Sequence, residues 1–177
     1  DESEYVRRSV ANHLNDLSRD IPHIVIETAA RWLADPDDNT EQLVKHALRT
    51  AIKSGNPDAL ALLGFAPAEV HVTDLILDAS VLAIGDSAEF TAQVRNVGTE
   101  PAKLAIDYIV HHTKANGGQT GKTFKLTTST LSPNESVTIR RRHSFREITT
   151  RKYYPGPHAI ELQINGVSSG RAGFELT

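Results

Sequence analysis

From Tyr5 to about Gly64 the apolar residues recur three and four positions apart, the spacing that aligns one face of an α-helix. From about Val70 onward the period falls to two, the spacing of half-buried strands. The first pattern predicts helices over 4–18, 22–34 and 40–54, with a short last turn over 58–63. Thr40, followed by Glu41-Gln42-Leu43, reads as an N-cap, and Ser54-Gly55-Asn56-Pro57 reads as a stop. The second pattern predicts strands over 70–77, 88–94, 104–110, 124–126, 137–139, 160–164 and 174–176. Gly85-Asp86, Asn96-Val97-Gly98, Asn116-Gly117-Gly118, Ser132-Pro133-Asn134 and Asn165-Gly166 separate them as turns. At the change of period, Gly64-Phe65-Ala66-Pro67-Ala68 supplies a helix stop and a proline without a long flexible tract. Two domains are expected, 1–66 and 67–177, held in a fairly fixed geometry.

The helical stretch contains an internal echo. At an offset of about 38 residues, the run from Tyr5 to Leu14 matches the run from Leu43 to Ile52, a period typical of HEAT-type helix-pair repeats. Each block ends in a polar turn with an aspartate, Asp20 and Asp58. The second stretch, about seven short strands in roughly 110 residues without a Cys-Trp-Cys signature, describes an immunoglobulin-like or fibronectin-like sandwich outside the antibody type. The predicted class is therefore an all-α HEAT-like repeat fragment followed by an all-β immunoglobulin-like sandwich. About three such repeats are needed to bury their apolar faces against one another, and only one and a half are visible.

Composition narrows the context. The chain has 177 residues, no methionine, and Asp1 in first position, so it is expected to be a fragment of a longer product. Without cysteine it has no disulfide framework and no thiolate metal site, which points to an intracellular home. No apolar run approaches the roughly 18 residues of a membrane span, and no basic-then-apolar leader opens the chain, so it reads as soluble. The net charge of −3 argues against a general polyanion binder. Residues 1–66 carry seven Lys/Arg against eleven Asp/Glu, and residues 67–177 twelve against eleven. Any contact with nucleic acid must come from a local patch.

Two patches stand out. On a helical wheel, Val6, Val10, His13, Leu14 and Leu17 define the expected buried stripe of the first helix. Opposite lie Tyr5, Arg8, Asn12, Asn15 and Asp16, a face unusually rich in amides. The equivalent face of the third helix carries Leu43, His46, Thr50 and Lys53, flanked by Lys45 and Arg49. A groove lined by Arg8, Asn12, His46, Arg49 and Lys53 has the donors to contact phosphate oxygens. Ordinary solvent-facing polarity is the competing reading. The second patch is Ile139-Arg140-Arg141-Arg142-His143-Ser144-Phe145-Arg146 followed by Arg151-Lys152-Tyr153-Tyr154. In a strand Arg140, Arg142 and Arg146 share one face, a track for a phosphate backbone, with the tyrosines beside it for sugar or base. The alternative is a charged edge strand that blocks sheet-to-sheet association. His13 is expected to be packed and Trp32 to be core. His111-His112 is discounted as a metal site, because neighbours in a strand face opposite ways.

Tyr5-Val6-Arg7-Arg8-Ser9-Val10-Ala11-Asn12-His13-Leu14-Asn15-Asp16, Val44-Lys45-His46-Ala47-Leu48-Arg49-Thr50 and Asp58-Ala59-Leu60-Ala61-Leu62-Leu63-Gly64-Phe65 resemble the end of the repeat domain of AlkC-type bacterial DNA glycosylases. Thr150-Arg151-Lys152-Tyr153-Tyr154-Pro155-Gly156-Pro157-His158 and Gln163-Ile164-Asn165-Gly166 resemble the immunoglobulin-like domain of the same family. The resemblance implies DNA alkylation repair. A DNA glycosylase of this kind hydrolyses the N-glycosidic bond of N-alkylated bases such as 3-methyladenine in duplex DNA, with repeats and sandwich clamping the duplex and no deep pocket for the lesion. An alkylated base is a good leaving group, so carboxylates near the deoxyribose suffice to stabilise an oxocarbenium-like sugar and assist a water. Within this chain the resemblance points to Asp16 as that carboxylate, with further acidic residues expected upstream. It implies no cofactor, no membrane partner, a monomer, and a cytoplasmic, nucleoid-associated setting. The DNA-binding set is then Tyr5, Arg8, Asn12, His46, Arg49, Lys53, Arg140, Arg142, Arg146, Arg151 and Lys152. A non-catalytic scaffold for protein partners is the alternative, and a secreted or surface-anchored adhesion protein a third reading.

Overall fold

A computed structural model describes residues 1–149 and 151–177. It divides into two compact units, Asp1–Pro67 and Ala68–Thr177. Among the described residues, the helices are α1 Glu4–Leu17, α2 Pro22–Ala34, α3 Thr40–Ala47, α4 Arg49–Lys53 and α5 Pro57–Leu62, all in the first unit. The strands are β1 Val70–Val72, β2 Ile76–Leu77, β3 Val81–Leu82, β4 Ser87–Asn96, β5 Ala102–Thr113, β6 Gln119–Leu131, β7 Ser136–Ser144, β8 Gly156–Ile164 and β9 Val167–Leu176, all in the second. No helix among them is long and apolar enough to cross a membrane.

The predicted fold class needs correction. Strand takes 41% of the chain and helix only 26%, in five short pieces, so this is a mostly β protein with two sheets and not an all-α repeat domain joined to a β domain. Strand dominates because the larger unit, Ala68–Thr177, holds every strand, and within the smaller unit the predicted third helix breaks at Leu48 into α3 and α4. Leu48 is fully buried, with Val25, Ala29, Val44, Ala51 and Ala59 around it. At the break the Thr50 N–H leaves the helical ladder and donates to the Asn15 side-chain oxygen at 3.0 Å. The Arg49 guanidinium donates to the freed His46 carbonyl, also at 3.0 Å. The run from Leu43 to Ile52 therefore spans a break, whereas its supposed counterpart from Tyr5 to Leu14 is continuous helix. The two runs thus share a hydropathy pattern and differ at the one interruption, Leu48.

The buried side of α1 also differs from expectation. Ala11 and Asn15 are buried and Leu14 and Leu17 half-buried, while Val6, Val10 and His13 are exposed. The buried stripe is rotated by roughly one residue step, about 100°, from the predicted one. The reason is the partner: α1 lies on α3 and α4, which offer unpaired backbone groups that a valine cannot satisfy and an asparagine can. Trp32, expected in the core, sits at the surface beside Val6 and Val10. α5 starts as its sequence suggests, with the Asn56 side chain accepting from Ala59 N–H at 3.0 Å and Pro57 in the first turn.

The second unit is two facing sheets. In one, β4 pairs with β1 and β2 along one side and with β7 along the other. The other runs β3-β9-β8-β5-β6, antiparallel except for β3 on β9. Between them lie Phe90, Val94, Leu104, Ile106, Ile160 and Leu162, all essentially without solvent contact. The predicted strand 70–77 is interrupted by Thr73, whose hydroxyl accepts from Gln93 N–H at 2.9 Å. β6 is far longer than the predicted 124–126, because its Thr- and Lys-rich face carries little apolar alternation. It ends the second sheet, and β7 ends the first, so both are edge strands.

Candidate nucleic-acid interface

On α1, Arg8, Asn12 and Asp16 are spaced four apart and form one exposed stripe. Asn12 is bound to α3: its side-chain oxygen lies 3.0 Å from His46 Nε2. The amide oxygen accepts, so the ring must donate from Nε2 and present Nδ1 as its free acceptor when neutral. Desolvation, then the nearby Arg49 and Arg8 charges, hold His46 below its ordinary pKa, which keeps the ring neutral at pH 7. A groove of about 370 Å³ opens alongside, with Arg7, Arg8, Asn39, Gln42 and His46 on its walls and Glu4 at its edge. Arg8, Asn12, His46 and Arg49 are thus brought together. Tyr5, 81% exposed, lies in the first turn of α1, and Lys53 is exposed in the last turn of α4. Asn15, expected on this polar face, is buried and serves the fold instead.

In β7, Val137 and Ile139 face the core and Arg140 and Arg142 face outward, paired across the ladder with Thr91 and Glu89. Arg140 is tied to Glu89, with Nε donating to the carboxylate at 2.7 Å. Its charge is therefore partly neutralised, whereas Arg142 makes no ion pair among the described residues. β7 ends at Ser144, so Arg146 lies just beyond the strand, with buried Phe145 and exposed Arg146 continuing its in-out alternation. Its backbone N–H donates to the Ser144 hydroxyl at 3.2 Å. Of the run that carried the resemblance, Thr150 lies outside the described residues. Arg151 sits over the Phe124 ring at 5.9 Å, and the Lys152 ammonium over Tyr154 at 5.8 Å.

Beneath this segment is a cluster the sequence reading missed. Tyr108, His112, His143, Phe145, Tyr153 and His158 pack ring against ring with centroids 5.1 to 6.2 Å apart. The Tyr108 hydroxyl pairs with His143 Nδ1 at 3.1 Å. Burial first, then the Arg151 charge, lowers His112 to about 3. The same two causes, joined by Arg141 and Lys122, lower His143 to about 4. His111 points to the other face of β5 and pairs with Glu161 at 2.7 Å, so the adjacent histidines do part to opposite sides. The signal was available in the period-two pattern, since Arg141 and His143 continue the parity of Val137 and Ile139.

Residues 71–177 match the family described as "Uncharacterised protein YhaZ, C-terminal Ig-like domain". The chain belongs to this family. The YhaZ protein of Bacillus subtilis (strain 168) is 37% identical over 177 residues, 99% of the chain and 49% of the relative. The solved structure of Pseudomonas fluorescens alkylpurine DNA glycosylase AlkC, bound to DNA containing an abasic site analog, is 39% identical with a TM-score of 0.93. That match covers 100% of this chain and 49% of AlkC. The chain therefore spans about half the length of the relatives it matches. A β-glucosidase from Listeria innocua, in complex with isofagomine, matches 62% of the chain and 16% of its own at 15% identity and a TM-score of 0.51. That likeness concerns the fold alone.

Proposed function

We propose that this chain is a DNA-contacting part of a DNA glycosylase that acts in DNA alkylation repair, releasing N-alkylated bases such as 3-methyladenine from duplex DNA. The observation that carries the reading is the end-to-end likeness to a glycosylase caught on DNA with an abasic site analog, at 39% identity. An abasic site is what base excision leaves, so the bound state is on the reaction path of such an enzyme. In this reading Arg8, Asn12, His46 and Arg49 contact the duplex from the helical unit, with Tyr5 and Lys53 beside them. Arg140, Arg142, Arg146, Arg151 and Lys152 contact it from the sandwich, and Asp16 supplies a carboxylate near the deoxyribose. The protein works as a monomer without a cofactor, in the bacterial nucleoid.

Cations that displace counterions from phosphates make affinity fall as salt rises, by a slope of about 0.9 per phosphate neutralised. Fluorescence anisotropy of the natural full-length protein on a duplex bearing an abasic analogue is expected to show such a fall. Arg142→Gln should flatten the slope by about one phosphate's worth, and Arg140→Gln by less, because Glu89 already holds part of its charge. A salt-independent or absent interaction overturns the reading and favours a protein-binding scaffold.

A further inference from the structure

The sandwich is open along the side where its two edge strands, β6 and β7, approach each other. Strand parity places a cation on the inward side of each. Lys122 pairs across the ladder with the buried Val110 two residues from the Tyr108–Phe124 pair, and Arg141 pairs with the buried Phe90. Neither side chain can enter the core, and both remain exposed at the opening. Arg151 joins them from the segment after β7. Lys122 Nζ lies 5.5 Å and the Arg151 guanidinium 5.9 Å from the centre of the Phe124 ring. Phe124 is half-buried and stacks on Tyr108 at 5.1 Å and 15°. Burial raises the Tyr108 hydroxyl above its ordinary pKa, and the Arg141 charge works against that rise. All three cations act on one buried ring, that of His143.

We propose that Lys122, Arg141 and Arg151 form an anion notch at this open side of the sandwich, and that it takes a backbone phosphate of nucleic acid with the neighbouring sugar or base against Phe124. Among the described residues the ion pairs are His111–Glu161 and Arg140–Glu89, and neither engages these three cations. Like charges gathered around a low-dielectric aromatic face repel one another, and a bound anion removes that cost. Two guanidinium forks and an ammonium offer more donors than a carboxylate can use, and they suit a phosphate. An aromatic face beside a cation is the usual platform for a nucleotide's sugar or base. The inference rests on the DNA reading above but names a different surface from the outward-facing Arg140 and Arg142. The competing role is edge protection, in which inward-pointing charges merely prevent strand addition.

The test measures duplex binding of the natural full-length protein by anisotropy, with Lys122→Gln, Arg141→Gln and Arg151→Gln. Each is expected to weaken binding by about three- to tenfold and to flatten the salt slope by about one phosphate's worth. Arg141→Lys, which keeps the charge, should retain most of the affinity and so separates charge loss from damage to the fold. Titration with inorganic phosphate, followed by NMR, should move the His143 ring signals in the wild type and leave them still in Arg141→Gln. If the wild type binds duplex and the three neutral variants bind it equally well, the notch is overturned and edge protection stands. If the wild type binds no duplex, the functional reading falls, and nucleic acid falls with it as the ligand of this notch.

Discussion

The side-chain oxygen of Asn15 accepts the backbone N–H of Thr50 at 3.0 Å, and the residue is 1% exposed. This bond closes the gap left where α3 gives way to α4. Replacing Asn15 by Ala leaves a part-buried N–H unsatisfied and removes packed atoms, at a cost on the order of 2 kcal/mol. Urea unfolding of Asn15→Ala should show a lower midpoint with little change in slope. Duplex affinity of the folded fraction should be unchanged. A variant that kept its stability and lost affinity would return Asn15 to the binding face.

The same residue shows what can and cannot be read from a hydropathy pattern. The change of period near residue 66 and the bounds of α1 and α2 were legible, because each depends on local spacing alone. The break at Leu48 was not, since residues 40–54 hold no proline and the break depends on a side chain more than thirty positions away. The apolar Val6 and Val10 suggested a buried stripe, yet the true stripe follows the unsatisfied backbone of α3 and α4. Among the site residues, Arg8, Asn12, His46 and Arg49 were legible as one polar group. Arg146 keeps the outward parity of Arg140 and Arg142 but lies past Ser144, where β7 ends. The meeting of Lys122 and Arg141 was not legible, because they lie on β6 and β7 in different sheets and only the sheet topology brings those edges together.

Acid should weaken the sandwich more than an ordinary surface would allow. In the unfolded chain His112 and His143 take up protons near 6.5, whereas in the folded domain burial and the Arg151 charge push them to about 3 and about 4. The unfolded state therefore binds more protons between those limits, and stability falls as pH drops from about 6.5 towards 4. Each ring contributes a slope of up to roughly 1.4 kcal/mol per pH unit in that window, and nothing above about pH 7. Both nitrogens of His112 lack a hydrogen-bond partner among the described residues, so His112→Phe removes an unpaired buried donor as well as one titrating group. Urea midpoints at pH 7.5, 6, 5 and 4.5 should fall steeply for the wild type and less steeply for His112→Phe. Parallel pH profiles for the two proteins would contradict this account.

Asp16 is the residue on which the catalytic part of the reading turns. It is exposed on the α1 stripe one turn beyond Asn12 and two beyond Arg8, and the nearby Asp20 lies in the turn that follows the helix. Release of a cationic alkylated base leaves positive charge on the sugar, and a carboxylate beside that sugar stabilises the charge as it develops and orients the attacking water. Such an interaction grows in the transition state and contributes little to the bound ground state, so its loss appears in the rate and not in affinity. Asp16→Asn in the natural full-length protein should lower single-turnover release of 3-methyladenine by at least about tenfold, with duplex affinity within about twofold of wild type. Asp20→Asn should leave both unchanged and so controls for the loss of a surface charge. Equal rates for wild type and Asp16→Asn would reduce Asp16 to a solvated helix end and shift the search for the carboxylate to another part of the protein.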